Sequence, residues 1–107
     1  MKTIKFAQPL IPLILSRQKS TTWRVNDEKN LSPSEIVNLL NDTREEFGKA
    51  EILNIKEKIF GNLDDEDKEG HEKFSSDKEM YETYSRYYGF QIVPETKLKI
   101  IKFKLLK

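Results

Sequence analysis

Thr3 to Phe6 alternates polar and apolar side chains, which predicts a short strand with Ile4 and Phe6 turned inward. Pro9 to Ser16 follows with apolar residues on almost every side (Leu10, Ile11, Leu13, Ile14, Leu15), the reading of a helix buried all round and plugging one end of a sheet. Pro9 and Pro12 are tolerable only because they fall in its first turn. After a polar turn at Arg17 to Ser20, the β-branched and aromatic run Thr21 to Val25 predicts a second strand. In that strand Trp23 and Val25 face the core, while Thr22 and Arg24 project from the other face.

Asn26 to Ser34 reads as a polar loop, and Glu35 to Leu40 fits either a helix or a strand, the strand being preferred. Asn41 to Glu46 is a turn cluster. From Phe47 to Phe60 a long strand is expected, with a bulge where the alternation changes phase near Leu53. Gly61 to Phe74 has no periodicity and predicts a loop with at most one helical turn. Ser76 and Glu79 have capping-box spacing, Gly89 offers a terminator, and Met80, Tyr84, Tyr87 and Tyr88 mark one face of the helix between them. Tyr84 and Tyr87 are assigned to the core by that spacing, and Tyr88 is left free to meet a ligand. Leu98 to Leu105 closes the chain as a strand whose inward set slips at Ile100 and Ile101, which predicts another bulge. The fold class is α+β: a small, strongly curved sheet or barrel of about five to six strands with short helices at its ends.

Composition narrows the picture. With 107 residues the chain is long enough for one core and too short for two, so residues 1–107 are read as a single domain. The absence of cysteine removes disulfides, thiolate nucleophiles and thiolate metal sites, and a single histidine excludes a multi-histidine centre. No metal or cofactor is implied. No apolar run approaches the roughly 20 residues of a membrane span, and no small-residue cleavage site follows Pro9 to Leu15, so a cytoplasmic chain without a membrane partner is expected.

The net charge of +1 hides a strong asymmetry. Residues 1–25 carry five basic residues and no acid, residues 97–107 carry five lysines and no acid, and residues 64–79 carry a net −5. If the two ends pair as neighbouring strands, they form a basic ridge for phosphate; otherwise their lysines solvate sheet edges.

Two groups of residues carry candidate chemistry. Lys19 lies in the turn leading to Thr22 and Arg24, so an ammonium, a hydroxyl and a guanidinium can share one edge, and repulsion from Arg24 would lower the lysine's pKa toward that of a base. Glu72, in Gly70-His71-Glu72 ahead of Phe74, can fold over a pocket and be held there as an acid. His71 and Tyr88 are the further candidate ligand contacts, His71 being read as a hydrogen-bonded surface residue.

Taken in order, these residues resemble the ASCH domain, the activating-signal-cointegrator homology family within the PUA-like barrels. The features that carry the resemblance are Ile4-Lys5-Phe6 before the apolar helix, the Lys19-x-x-Thr22-x-Arg24 motif with Trp23, Glu46-Phe47-Gly48-Lys49-Ala50-Glu51-Ile52, Gly70-His71-Glu72 with Phe74, Tyr87-Tyr88-Gly89 and the basic closing strand. The resemblance implies a β-barrel with a cleft for RNA or a nucleoside. One branch is an amidohydrolase of N4-acetylcytidine, and carried over by motif its proton acceptor, nucleophile and proton donor fall on Lys19, Thr22 and Glu72. The chain departs from the pattern at two turns: glycine usually precedes the lysine motif and a Gly-Asp pair enters the next strand, where Arg17-Gln18 and Pro33-Ser34 stand instead. The expected function is a binding cleft for RNA or a modified nucleoside, built around Lys19, Thr22, Arg24 and Glu72 in a monomeric domain. The alternatives are that hydrolase and a protein-interaction module using the acidic loop.

Overall fold

The computed structural model describes residues 1–106. In chain order the elements are β1 (Thr3–Lys5), α1 (Ile11–Leu15), β2 (Thr21–Arg24), β3 (Ile36–Leu40), β4 (Glu46–Ile59), α2 (Asp65–Lys68), α3 (Asp77–Tyr88) and β5 (Lys97–Leu106), with 3-10 turns at Gln8–Leu10 and Phe60–Asn62. The strands form one sheet in the order β1-β3-β4-β5-β2. β1 runs parallel to β3 and every other pairing is antiparallel. The sheet curls into a half-barrel, the compact α+β architecture of a small PUA-like barrel.

The long β4–β5 ladder is the spine. Its register skips Leu53 between the Ile52–Phe103 and Asn54–Lys102 pairs, so the bulge falls where the alternation changes phase, and Leu53 is left half exposed. β5 itself has no bulge, contrary to the reading of Ile100 and Ile101. It pairs without interruption with β2, and both residues are buried because β5 is covered on both faces. Ile101 and Phe103 pack with Ile4, Phe6, Val37, Leu39 and Ile52 in one core. Leu98 and Ile100 pack with Trp23, Val25, Phe60, Met80 and Tyr84 in a second core beneath α3.

Two helices differ from expectation. The Pro9 to Ser16 segment divides into a 3-10 turn and a five-residue helix, which turns only Ile11 and Ile14 inward; Leu15 is half exposed. A helix of little more than one turn has one face to bury. α3 runs as predicted from Ser76, whose hydroxyl accepts from the Glu79 N–H, to Gly89 at φ 74°. The Glu79 carboxylate, however, turns back to the Ser75 N–H and hydroxyl. The helix packs along a stripe spaced by four, Met80 and Tyr84, with Tyr88 half buried beyond them. Tyr87, 60° round the helix from Tyr84, is 60% exposed and does not belong to the core.

β1 does not reach β5, since β3 and β4 lie between them, but β2, at the end of the basic segment 1–25, pairs with β5 and sets Arg24 opposite Lys99. The two basic segments are therefore neighbours, with Lys19, Lys99 and Lys102 engaged by Glu72, Asp27 and the Glu66 carbonyl and not standing as an open ridge. The sheet's edges, β1 and β2, are instead linked through a side chain: Arg24 Nη2 donates to the Lys5 carbonyl at 2.8 Å, with its guanidinium 4.9 Å above the Phe6 ring.

The segment after α2 docks onto the start of β2. Gly70 O accepts the N–H groups of both Ser20 (2.8 Å) and Thr21 (3.0 Å), and Thr21 Oγ1 donates to Glu69 O at 2.6 Å. Gly70 holds φ 75°, and a Cβ there would run into Ser20 Oγ and lie 3.1 Å from Thr21 Oγ1, whereas Gly89, at φ 74°, has open space around it. Gly70→Ala is therefore expected to cost at least about 2 kcal/mol and Gly89→Ala about 1 kcal/mol, the bare strain of the left-handed region. Urea unfolding of the two variants checks this; equal losses would show that the loop yields freely at Gly70.

Candidate functional site

The alternation predicted for β2 places its side chains as expected. Trp23 enters the second core, and Thr22 and Arg24 turn to the other face, where they line a cavity of about 210 Å³ with Lys19, Glu72, Tyr84, Tyr87 and Tyr88, backed by Phe6 and Leu10. Lys19, Thr22 and Glu72 therefore converge on one recess, although Glu72 is 53 residues from Lys19.

The turn that delivers Lys19 explains how the chain manages without a glycine. Arg17 adopts φ 67° and Ser34 φ 73°, left-handed conformations in the two turns where the chain departs from the pattern. Non-glycine residues hold such angles only when neighbouring contacts compensate a strain of about 1 kcal/mol or more. At Arg17, the side-chain Nη1 donates to Leu105 O at 3.0 Å and the backbone N–H to Ile14 O at 3.0 Å.

Lys19 is 2% exposed. Its amine donates to Thr21 O at 2.7 Å and to Glu72 Oε1 at 2.5 Å. Burial is the main cause lowering its pKa, with Glu72 opposing and the Arg24 charge adding only a little; the expected direction is right but repulsion is not its chief source. Glu72 differs from expectation. Burial pushes its pKa up, but the Lys19 and His71 contacts outweigh it and the net direction is down, so the resting carboxyl is ionised and not a held acid. Both partners thus shift downward while competing for one proton. The ion pair is the resting state we assign, because the short Lys19 contact and the imidazole Nδ1 3.1 Å from Oε1 favour the carboxylate.

His71 is buried, not a surface residue. It lies behind Glu72 and outside the small cavity, lining instead a larger cleft of about 770 Å³ with Phe74 and Met80. Its ring stacks on Trp23 with centroids 3.8 Å apart and planes 17° apart. Nδ1 sits 2.8 Å from Glu72 O and 3.1 Å from Glu72 Oε1, and Nε2 sits 2.8 Å from the Tyr84 hydroxyl. Trp23 is itself fixed by its indole N–H, which donates to Asp67 O at 3.1 Å.

Arg24 contributes to the cavity wall more than to a phosphate site. Its guanidinium is engaged with Lys5 O and Phe6, and Nε is buried without a partner. Tyr88 accepts the Val25 N–H at 3.0 Å through its hydroxyl oxygen, which leaves the phenolic hydrogen free to donate into the cavity. Among the described residues no hydrogen bond engages the Thr22 hydroxyl, which opens onto the cavity. Tyr84 belongs to the core, as its spacing predicts, and also lines the site, whereas Tyr87 is exposed and lines it from outside the core.

Burial, helped by the Lys19 charge, pushes the His71 pKa down from 6.5 to about 4. The unfolded chain takes up this proton near 6.5 and the folded chain only near 4. The stabilisation is therefore complete above pH 6.5 and is lost as pH falls toward 4, an effect of about 3 kcal/mol. Urea midpoints measured from pH 7.5 to 4.5 should fall in the native protein and fall less in His71→Gln. An imidazole that titrates near pH 6 by NMR in the folded chain would contradict this.

No protein-family model and no curated protein matches the chain. Solved structures do. The hypothetical protein PH0355 is similar over 99% of this chain and 100% of its own, with 20% identity and a TM-score of 0.78. An ASCH domain from Lactobacillus crispatus aligns over 97% of this chain and 79% of its own, with 12% identity and a TM-score of 0.72. The S128A mutant of an ASCH protein from Zymomonas mobilis aligns over 95% of this chain and 66% of its own, with 17% identity and a TM-score of 0.65. At these identities the likeness is one of architecture, and the chain has the fold of the ASCH domain.

Proposed function

We propose that the chain binds a modified nucleoside in the small cavity and hydrolyses an amide on its base, an N4-acylated cytidine being the substrate class that the sequence resemblance suggests. The observation that carries this reading is the short Lys19–Glu72 contact beside the open Thr22 hydroxyl. At about 210 Å³ the cavity is smaller than the roughly 300–1,000 Å³ of ordinary ligand pockets, which suits one heterocycle and its substituent and not a stacked strand. An RNA would have to present such a base unstacked.

The pair carries one proton between its two members. In the reactive form the proton resides on Glu72 and Lys19 is a neutral amine, a redistribution without net charge that burial favours. Thr22 Oγ attacks the acyl carbon while its proton passes to Lys19. Glu72 protonates the exocyclic nitrogen as the C–N bond breaks, leaving an acyl ester on Thr22 and the free amine on the base. Water then adds to the ester and gives its proton to Glu72; Thr22 departs with the proton held by Lys19, and a carboxylic acid is released. Both groups return to their starting forms. Tyr88, with its free phenolic hydrogen, is the wall residue best suited to hold the base.

Incubation with N4-acetylcytidine, followed by chromatography for cytidine and acetate, tests the reading. Product is expected from the native protein and from Thr22→Ser, while Thr22→Ala should lose about 100-fold or more and still bind the nucleoside. Binding by calorimetry without product above the Thr22→Ala control would reduce the site to a binding cleft. Neither binding nor product would remove the proposal.

A further inference from the structure

We infer that His71 is a positioning residue for Glu72: held in a single tautomer by Tyr84, it fixes the Glu72 backbone carbonyl beside one carboxylate oxygen and leaves the other oxygen to face the substrate. The kinetic part of this inference rests on the proposed hydrolysis; the structural part does not.

The tautomer follows from the partners. Nδ1 faces two acceptors, the Glu72 carbonyl and the Glu72 carboxylate, at 2.8 and 3.1 Å. Neither can donate, so Nδ1 must carry the hydrogen. Nε2 is then a lone pair, and the Tyr84 hydroxyl 2.8 Å away donates to it. Burial raises the Tyr84 pKa well above its ordinary value, so the phenol keeps its proton. The opposite tautomer would turn a nitrogen lone pair toward two oxygens. Trp23 removes the remaining freedom by stacking on the ring, so the imidazole can neither tilt nor swing away.

The consequence lies on Glu72. Lys19 Nζ donates to Oε1, and His71 Nδ1, bonded to the Glu72 carbonyl, lies 3.1 Å from the same oxygen. Among the described residues no hydrogen bond reaches Oε2. A carboxylate held by one donor can rotate about its last torsion, whereas Glu72 is anchored at both ends, its backbone carbonyl accepting from the imidazole and its Oε1 from Lys19. Oε2 is thereby the atom that can hold the acid proton toward a leaving nitrogen. The charged and titratable groups around the imidazole are Lys19, Arg24, Glu72 and Tyr84, and none of them offers Nδ1 another partner.

The chain has one histidine, so a long-range proton–nitrogen NMR spectrum reports this ring alone. The expected result at neutral pH is a hydrogen on Nδ1; a dominant Nε2–H form would overturn the inference whatever the enzymology shows. Two variants separate orientation from packing, since both lose the stacked ring but an Asn amide nitrogen can stand near Nδ1 whereas a Gln amide nitrogen stands near Nε2. His71→Asn should keep the Glu72 carboxyl titration, followed by carbon NMR, at its native low position, and His71→Gln should move it up. In hydrolysis His71→Asn should retain kcat within about tenfold and His71→Gln should lose about 100-fold at unchanged KM, the order of effect of misplacing a reacting group. Equal effects of the two variants on the Glu72 titration would overturn the positioning role. A native protein with the Nδ1 hydrogen and the split titration but no product would leave the positioning intact and remove the hydrolase reading.

Discussion

An ammonium group almost fully removed from water organises this site. A charge so buried costs several kcal/mol unless it is paired and hydrogen-bonded, and nothing near Lys19 in the sequence can pair with it. The partner comes from Glu72, 53 residues away, in a loop with no periodicity of its own. That loop reaches Lys19 because β2 is an edge strand whose first N–H groups need acceptors, and the Gly70 carbonyl accepts two of them. Backbone satisfaction at the edge and charge compensation in the recess are thus met by the same four residues, Glu69 to Glu72. The loop is acidic for a further reason: Asp67 is buried and bonded to Lys58 at 2.6 Å while its own carbonyl holds Trp23. The −5 segment pairs with the long sheet and is not a solvated tail.

The fold makes one short chain serve two cores. β5 has apolar residues in both phases because the half-barrel lies on one side and α3 on the other. This arrangement also makes the cavity, since β2, at the end of the sheet, has Trp23 in one core and Thr22 and Arg24 facing a gap between Phe6 and α3. The gap is kept narrow by Arg24, which bonds across from β2 to the Lys5 carbonyl of β1. A residue expected to meet phosphate therefore acts as a strut, and its Nε is buried without a partner.

Local rules carried the parts of the structure that local forces decide. The alternation of Thr21 to Val25, the bulge at Leu53, the Ser76 cap and the Gly89 terminus are legible because each depends on residues within a few positions. Ile100 and Ile101 were misread because a one-dimensional pattern does not distinguish a bulge from a strand coated on both faces. Tyr84 and Tyr87 share a helical arc, and only the line of contact with Trp23 and Phe60 separates them. The charge of Glu72 and the burial of His71 were out of reach for the same reason: both are set by Lys19, Trp23 and Tyr84, which are distant in sequence. The resemblance named Lys19, Thr22 and Glu72, but their convergence was not legible, since spacing could not bring the loop to the turn.

The same geometry constrains any chemistry assigned to it. An ion pair at rest is neither a base nor an acid, so a site built on Lys19 and Glu72 is idle until the proton is redistributed between them. Bringing an uncharged heterocycle into the recess expels water and lowers the local dielectric, which weakens the case for separated charges and favours neutral amine and acid. An anionic ligand would act in the opposite sense, holding the lysine protonated and the site inactive. On the proposed hydrolase reading, such a recess would favour neutral, base-sized amides on electrostatic grounds before any hydrogen bond is formed, and entry of the substrate would be coupled to generation of the base for Thr22.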